Sequence, residues 1–410
     1  MKRYNYIIFI VIWIAGCRKP YNPPAVRASG SYLVVEGVIN GGTDSTVIKL
    51  SRTVNLSSKN VTNPVIGATL TVERDDNTVY PLTETANGHY MSPGINLDST
   101  RKYRIRIKTA NDEYLSDFVP VLNSPPIDSV SYVIGNNGIN IYSDTHDPKN
   151  NTHYYRWDYQ ETWIIHSNYY SFYQSNGDSV IARDMINDQV YQCWQSDTSN
   201  VIILASSSNL SKDVIINNPI TFIGPATGKL GGRNSIITSQ AASGANVYSI
   251  LLRQYALTSD AYTFWTNMKT NSEQLGSIFD TQPSSVSGNI HSINNPAEVV
   301  IGYISAGSIA SKRIFLSNQQ IPVSLSLTIN PECKLDSFYY SYIPPGYFLP
   351  LNQENEYFNY NSGAQYGRVE YVPIAALFDK YGMVIGHTGS TEACVDCTLR
   401  GTNKEPAFWK

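Results

Sequence analysis

The sequence predicts a mostly β fold: a small N-terminal β-sandwich, then a larger β-rich domain with one prominent helix. Tyrosine alone supplies 30 of the 410 residues, while charged residues make up only 15%. Val, Ile, Thr and Ser accompany the tyrosines and Ala and Leu are scarce, a profile that suits pleated, half-buried surfaces better than helices. Short segments also alternate apolar with polar residues, and turn chemistry separates them.

The first strand is Leu33-Val34-Val35-Glu36-Gly37-Val38-Ile39, ending in a Gly41-Gly42 turn, and Val47-Ile48-Lys49-Leu50 follows it. Ala68 to Glu73 alternates as a strand buried on one side should, and Asp75-Asp76-Asn77 is turn chemistry. Gly88-His89-Tyr90 opens another short piece, and Tyr103 to Lys108 is the clearest period-2 strand in the chain. Strands at this spacing indicate a sandwich over 31–120. The prolines around 120–126 stiffen the chain, which makes 121–126 a linker. The remainder, 127–410, is long enough to bury a core of its own. Its expected strands are Tyr155 to Trp163, with aromatics on one face, Val201 to Ala205, Val247 to Leu257, Val299 to Ile304 and Arg313 to Leu316. A helix near 259–275 starts at the cap residues Thr258-Ser259-Asp260. It carries Ala261, Phe264 or Trp265, Met268 and Leu275 at helical spacing, and Gly276 stops it.

Residues 1–16 read as an export signal. Lys2 and Arg3 precede the apolar run Tyr6 to Trp13, and small residues lead to Cys17. The run is too short to span a ~30 Å bilayer as a helix. Ile14-Ala15-Gly16-Cys17 resembles the bacterial lipobox, in which the cysteine thiol takes the lipid. Residues 17–30 then form a lipidated cysteine and a flexible, proline-bearing tether. One acyl chain binds a membrane only marginally, so stable anchoring requires the several chains, palmitate among them, of a mature lipoprotein. Losing Lys2 and Arg3 leaves 28 basic residues against 33 acidic ones, a net charge of −5, which argues against a nucleic-acid partner.

Four cysteines remain: Cys193, Cys333, Cys394 and Cys397. In an oxidising exported compartment they suggest two disulfides with three possible pairings. Cys394-Val395-Asp396-Cys397 also has the spacing of a zinc half-site or a redox dithiol, but no second close-spaced pair accompanies it. The sequence holds no nucleophile elbow, no His-Glu-x-x-His and no phosphate-cradling glycine loop. The six histidines, at 89, 146, 153, 166, 291 and 387, are scattered and read as surface or hydrogen-bonded residues. The acidic stretches Glu73 to Asn77 and Asp144 to Pro148 lack the glycine and terminal glutamate of a calcium loop, and turns explain both. No cofactor, metal or catalytic residue is therefore predicted. Tyr339-Tyr340-Ser341-Tyr342-Ile343-Pro344-Pro345-Gly346-Tyr347 combines tyrosines with residues that break regular structure. Tyr339, Tyr340, Tyr342 and Tyr347 are thus expected on a loop, where recognition is commoner than in cores.

Several segments, in order, resemble the lipoprotein family of Bacteroidetes-type bacteria catalogued as domain of unknown function 4249. They are Leu33 to Gly37, Pro64 to Ala68, Gly88 to Tyr90, Pro126 to Asp128, Gln254 to Leu257 with Ala261 to Trp265, Phe279 to Pro283, Gly288 to Ile290, Ile301 to Tyr303 and Cys394 to Cys397. Gly401 to Trp409 fits as well, with Arg400 where a second glycine is expected. The resemblance implies an N-terminal immunoglobulin-like or carboxypeptidase-regulatory-like sandwich and genes beside TonB-dependent outer-membrane receptors. It carries over no catalytic residue. The expected function is a non-enzymatic accessory of such a transporter, held in the outer membrane by lipid and binding the receptor or a small-molecule, glycan or peptide ligand. Arg18-Lys19, where surface-displayed lipoproteins of these bacteria carry acids, leave the membrane face open. A surface hydrolase, or an adhesion or stalk module, is the alternative.

Overall fold

Residues 31–54, 63–230, 245–273, 288–325, 332–346, 348–358 and 371–409 are described in the structure, a computed structural model. Cys17, the signal, the tether, Tyr347, Leu275 and Gly276 lie outside them. The fold is mostly β, as expected.

The first body holds β1 (Leu33–Asn40), β2 (Thr46–Arg52), β3 (Thr69–Arg74), β4 (Val79–Ala86), β5 (His89–Ser92), β6 (Lys102–Lys108), β7 (Glu113–Ser116) and β8 (Val119–Pro120). In β6 the alternation is complete. Tyr103, Ile105 and Ile107 are buried, while Arg104 and Arg106 face outward and hold Glu73 of β3 at 2.7 and 2.5 Å. The acidic turn after β3 is occupied by its own chain: Asp76 accepts from Arg74 Nε at 2.8 Å and from the Thr78 hydroxyl at 2.8 Å.

The second body begins with β9 (Ile127–Gly135), β10 (Gly138–His146), β11 (Tyr154–His166), β12 (Tyr173–Ser175), β13 (Val180–Ala182), β14 (Gln192–Thr198), β15 (Ile203–Ser206), β16 (Val214–Ile223) and β17 (Asn246–Ala256). Helix α1 (Ser259–Glu273) follows, capped by the Thr258 hydroxyl, which accepts from the Ala261 N–H. Next come β18 (Ile290–Ser292), β19 (Val300–Ile301), β20 (Ala306–Gly307) and β21 (Ala310–Ser317). One sheet has the order β16-β10-β9 and another β14-β11-β17-β21. The aromatic face of β11 is core: Tyr155, Trp157, Tyr159 and Trp163 pack with Ile139, Ile141, Ile250 and Leu252. Gln254 ties this core to the proline stretch, accepting from Trp157 Nε1 and donating to the Pro125 carbonyl at 2.9 Å.

Glu161 interrupts the aromatic row and is 1% exposed. The Tyr248 hydroxyl donates to it at 2.6 Å, and Lys229 closes the ion pair. Removing one partner of a buried pair leaves the other charge uncompensated. Lys229→Met is therefore expected to cost about 3–5 kcal/mol in urea unfolding, whereas the same change with Glu161→Gln should recover most of the loss.

The chain then departs from the expected division at 120. β18 pairs with β7, and β19 and β20 pair parallel with β1, giving the sheet order β18-β7-β6-β3-β4-β5-β2-β1-β19. One segment thus supplies both edges of the first body, and Ile290, Val300, Ile304 and Ala306 enter its core. Asn289 fixes the return: its amide donates to the Ile304 carbonyl and accepts from the Ile304 N–H, both at 2.9 Å. Gly302, at φ +143°, is needed because a Cβ there would stand 2.2 Å from the Val35 carbonyl. The expected strand Val299 to Ile304 shrinks to Val300–Ile301, and 121–126 is no free linker, since the Leu122 N–H donates to the Ala306 carbonyl at 2.8 Å.

A third region contains β22 (Asp336–Tyr339), α2 (Gln353–Tyr357), β23 (Tyr371–Phe378), β24 (Val384–Thr391) and α3 (Glu392–Val395), with sheet order β22-β24-β23. The two cysteines of the Cys-x-x-Cys motif part company here. Cys394 pairs with Cys333, and Cys397 pairs with Cys193, each with Cα atoms 5.7 Å apart. The motif is thus neither a zinc half-site nor a dithiol pair in this fold. The tail docks through Trp409, whose ring meets Trp194 and Phe315 edge-on.

Candidate partner-binding surface

The third region shows a surface that its strand directions create. β22 runs antiparallel to β24, with Tyr339 opposite Gly386. The Tyr340 N–H then donates to the Ile385 carbonyl at 3.0 Å. The chain therefore leaves the sheet at the end where β23 and β24 are joined by 379–383. Tyr342 and Leu351 exchange backbone hydrogen bonds at 2.9 and 2.8 Å and close the first projection into a loop. Asp379 shapes the second by accepting from the N–H groups of Tyr381 and Met383, both at 2.8 Å.

The two projections carry an exposed apolar set. Phe348 is 97% exposed, Leu349 76% and Tyr381 77%; Tyr340, Tyr342, Ile343, Leu351, Phe378, Met383 and Val384 are also exposed. No charged residue occurs from 337 to 351, and Asp379 and Lys380 are the only Asp, Glu, Lys or Arg from 371 to 391. Monomeric proteins rarely leave large contiguous apolar surface to water, and charge is depleted from the centres of interfaces. Asp379, moreover, spends its carboxylate on the turn.

The surface rests on a firm base. Phe338 packs inward against Tyr357, Phe358 and Tyr371, with ring centroids 4.8 to 5.1 Å away. The Cys333–Cys394 bridge joins the segment before β22 to the helix after β24. Under the first projection, His387 Nδ1 lies 2.6 Å from Glu354 Oε1, and both residues are buried. Glu354 sits in the first turn of α2, where Asn352 caps the N–H groups of residues 354 and 355.

Of the expected loop tyrosines, Tyr340 and Tyr342 lie on the first projection. Tyr339 instead closes β22, its N–H donating to Gln353 Oε1 at 3.1 Å, because the break comes only after that residue. The histidines are not brought together: His146 meets Asp128, His153 meets Ser207 and His291 meets Asp117. The acidic stretch at 144–148 serves turns, with Asp147 accepting from the N–H groups of Lys149, Asn151 and Thr152. Among the described residues no group of three or more His, Cys, Asp or Glu is placed to hold a metal ion, and no helix is long and apolar enough to cross a membrane. Sequence reasoning missed the 378–384 projection and the Glu354–His387 pair. Turn chemistry at Asp379-Lys380-Tyr381-Gly382 between two apolar runs was the available signal for the projection.

Compared with known protein families, residues 18–313 match the family described as Domain of unknown function (DUF4249). No curated protein matches the chain. The matched residues contain the first body, its returning segment and most of the second body, and they end before the sheet β22-β24-β23.

Proposed function

The chain belongs to the DUF4249 family, and from that premise we propose that it is an outer-membrane lipoprotein, anchored through Cys17, that serves a TonB-dependent transporter as a non-enzymatic binding accessory. The observation that carries this reading is the apolar, charge-poor end of the sheet β22-β24-β23, with Phe348 97% and Leu349 76% exposed. Burying an apolar side chain of this size is worth about 1.5–3 kcal/mol. A lipid anchor confines the protein beside its partner, so a contact of modest intrinsic strength suffices.

The test is capture of the receptor by the tagged full-length protein from detergent-solubilised outer membrane, read by mass spectrometry. The unaltered protein is expected to recover a β-barrel receptor of the TonB-dependent class. The variant Phe348→Asp/Leu349→Asp should recover at least about tenfold less, a loss of roughly 1.4 kcal/mol, with its melting temperature unchanged because both side chains are exposed. Recovery of no such receptor, or equal recovery by the variant, would overturn the reading. Cys17→Ser should leave the protein out of the membrane fraction.

A further inference from the structure

Beneath the proposed binding surface two ionisable side chains are shut away from water together. Glu354 and His387 are each 3% exposed. The other carboxylate–histidine pairs among the described residues, Asp128–His146 and Asp117–His291, stand in solvent. The pair joins separate pieces of chain. Glu354 belongs to α2, and His387 lies within β24 opposite Phe338 of β22 and Ala376 of β23. Tyr173 of β12 and Tyr340 of the first projection meet the imidazole edge-on, at 4.4 and 6.1 Å between centroids. The neighbours from these elements are thus two phenols and two apolar side chains, and His387 is the one charged partner acting on the carboxylate among the described residues.

We propose that the Glu354–His387 pair is a pH-responsive support for the 340–351 loop, holding it in its binding arrangement at acid pH and loosening it as pH rises. This rests on reading that loop as the binding surface and names how the surface is regulated. With one proton between them the two groups are neutral overall, whichever carries it. When that proton leaves, a bare carboxylate remains in a site nearly sealed from water, beside an imidazole that no longer balances it. Burial pushes the Glu354 carboxyl above its ordinary value, and the imidazole opposes this only in part. A carboxyl raised in this way stabilises the folded arrangement below its unfolded value, and that stabilisation is lost as pH climbs through the folded one. The loop feels the change because α2 follows it directly. The Tyr339 N–H is held by Gln353 of that helix, and the Tyr342–Leu351 pair closes the loop just before the Asn352 cap.

The test is hydrogen exchange on the full chain, following residues 340–346 and 348–351 from about pH 4, below the ordinary carboxyl value, to pH 8 with intrinsic rates divided out. Protection in the unaltered protein is expected to fall severalfold as pH rises across this window. Glu354→Gln keeps a hydrogen-bonding group but removes the carboxylate, so the fall with rising pH should be abolished or reversed, the buried imidazole being left without its counter-charge. A flat profile in the unaltered protein, or an unchanged slope in Glu354→Gln, would overturn the proposal. Should that variant fail to fold, carbon NMR of the Glu354 carboxyl in the unaltered protein decides. A midpoint above the ordinary value of 4.5 sustains the proposal, and one at or below it ends it. Neither readout needs a receptor, so failure here and failure of receptor capture are distinguishable.

Discussion

A fragment of residues 31–126 is expected not to fold, although it contains every strand that the alternating sequence marks as the first sandwich. Its sheet takes one edge from β18 and the other from β19 and β20, all from 290–307. Deleting them strips the core of Ile290, Val300 and Ile304, which are at most 3% exposed. At about 1.5–3 kcal/mol for each buried side chain, the loss is comparable with the entire 5–15 kcal/mol stability of an ordinary domain. It also leaves the flanks of β1 and β7 unpaired, and open edges invite aggregation. Circular dichroism and urea titration should show an unfolded or aggregating fragment. Joining 288–307 to its C-terminus through a flexible linker should restore a cooperative transition. A fragment that unfolds cooperatively without the added segment would refute the claim.

The same segment marks where the sequence stops being legible. The strand class and α1 could be read because period-2 alternation and a capped apolar stripe are local signals; β6 follows its pattern residue by residue. Parallel pairing of Leu33 with Val300 leaves no such local trace, so Val299 to Ile304 read as a strand of the wrong body. The four cysteines announced two bridges but not their partners, since proximity in space and in sequence are unrelated at these separations. At the candidate surface the breaker-rich tyrosines at 339–347 drew attention to one projection. The second carries a local signal in the turn residues Asp379 to Gly382, but its place beside the first projection is set by the pairing of β22 with β24, which residue spacing does not reveal. The Glu354–His387 pair depends on a strand register that no spacing encodes, because the two residues are drawn from α2 and β24.

Breaking the Cys193–Cys397 bridge is expected to be the most costly pair of point changes in the chain. The bridge closes a separation of 204 residues and the Cys333–Cys394 bridge one of 61. On the chain-entropy account these are worth about 5 and about 4 kcal/mol. The smaller loop lies inside the larger, so removing both should cost less than the sum. Their structural consequences also differ. Cys193 and Cys397 are fully buried in the core of the second body, and beside them Trp194 and Thr402 exchange backbone hydrogen bonds at 2.8 and 2.9 Å. Cys193→Ser/Cys397→Ser should therefore release the tail and expose Trp194 and Trp409 as well as lower the urea midpoint. Cys333→Ser/Cys394→Ser should spare that tryptophan signal and act on the sheet beneath the binding surface. Tryptophan fluorescence during urea unfolding, with and without reductant, separates the two. Identical midpoints for the oxidised and reduced protein would show that the folded chain derives nothing from its bridges, and would remove the reason to place its maturation in an oxidising compartment.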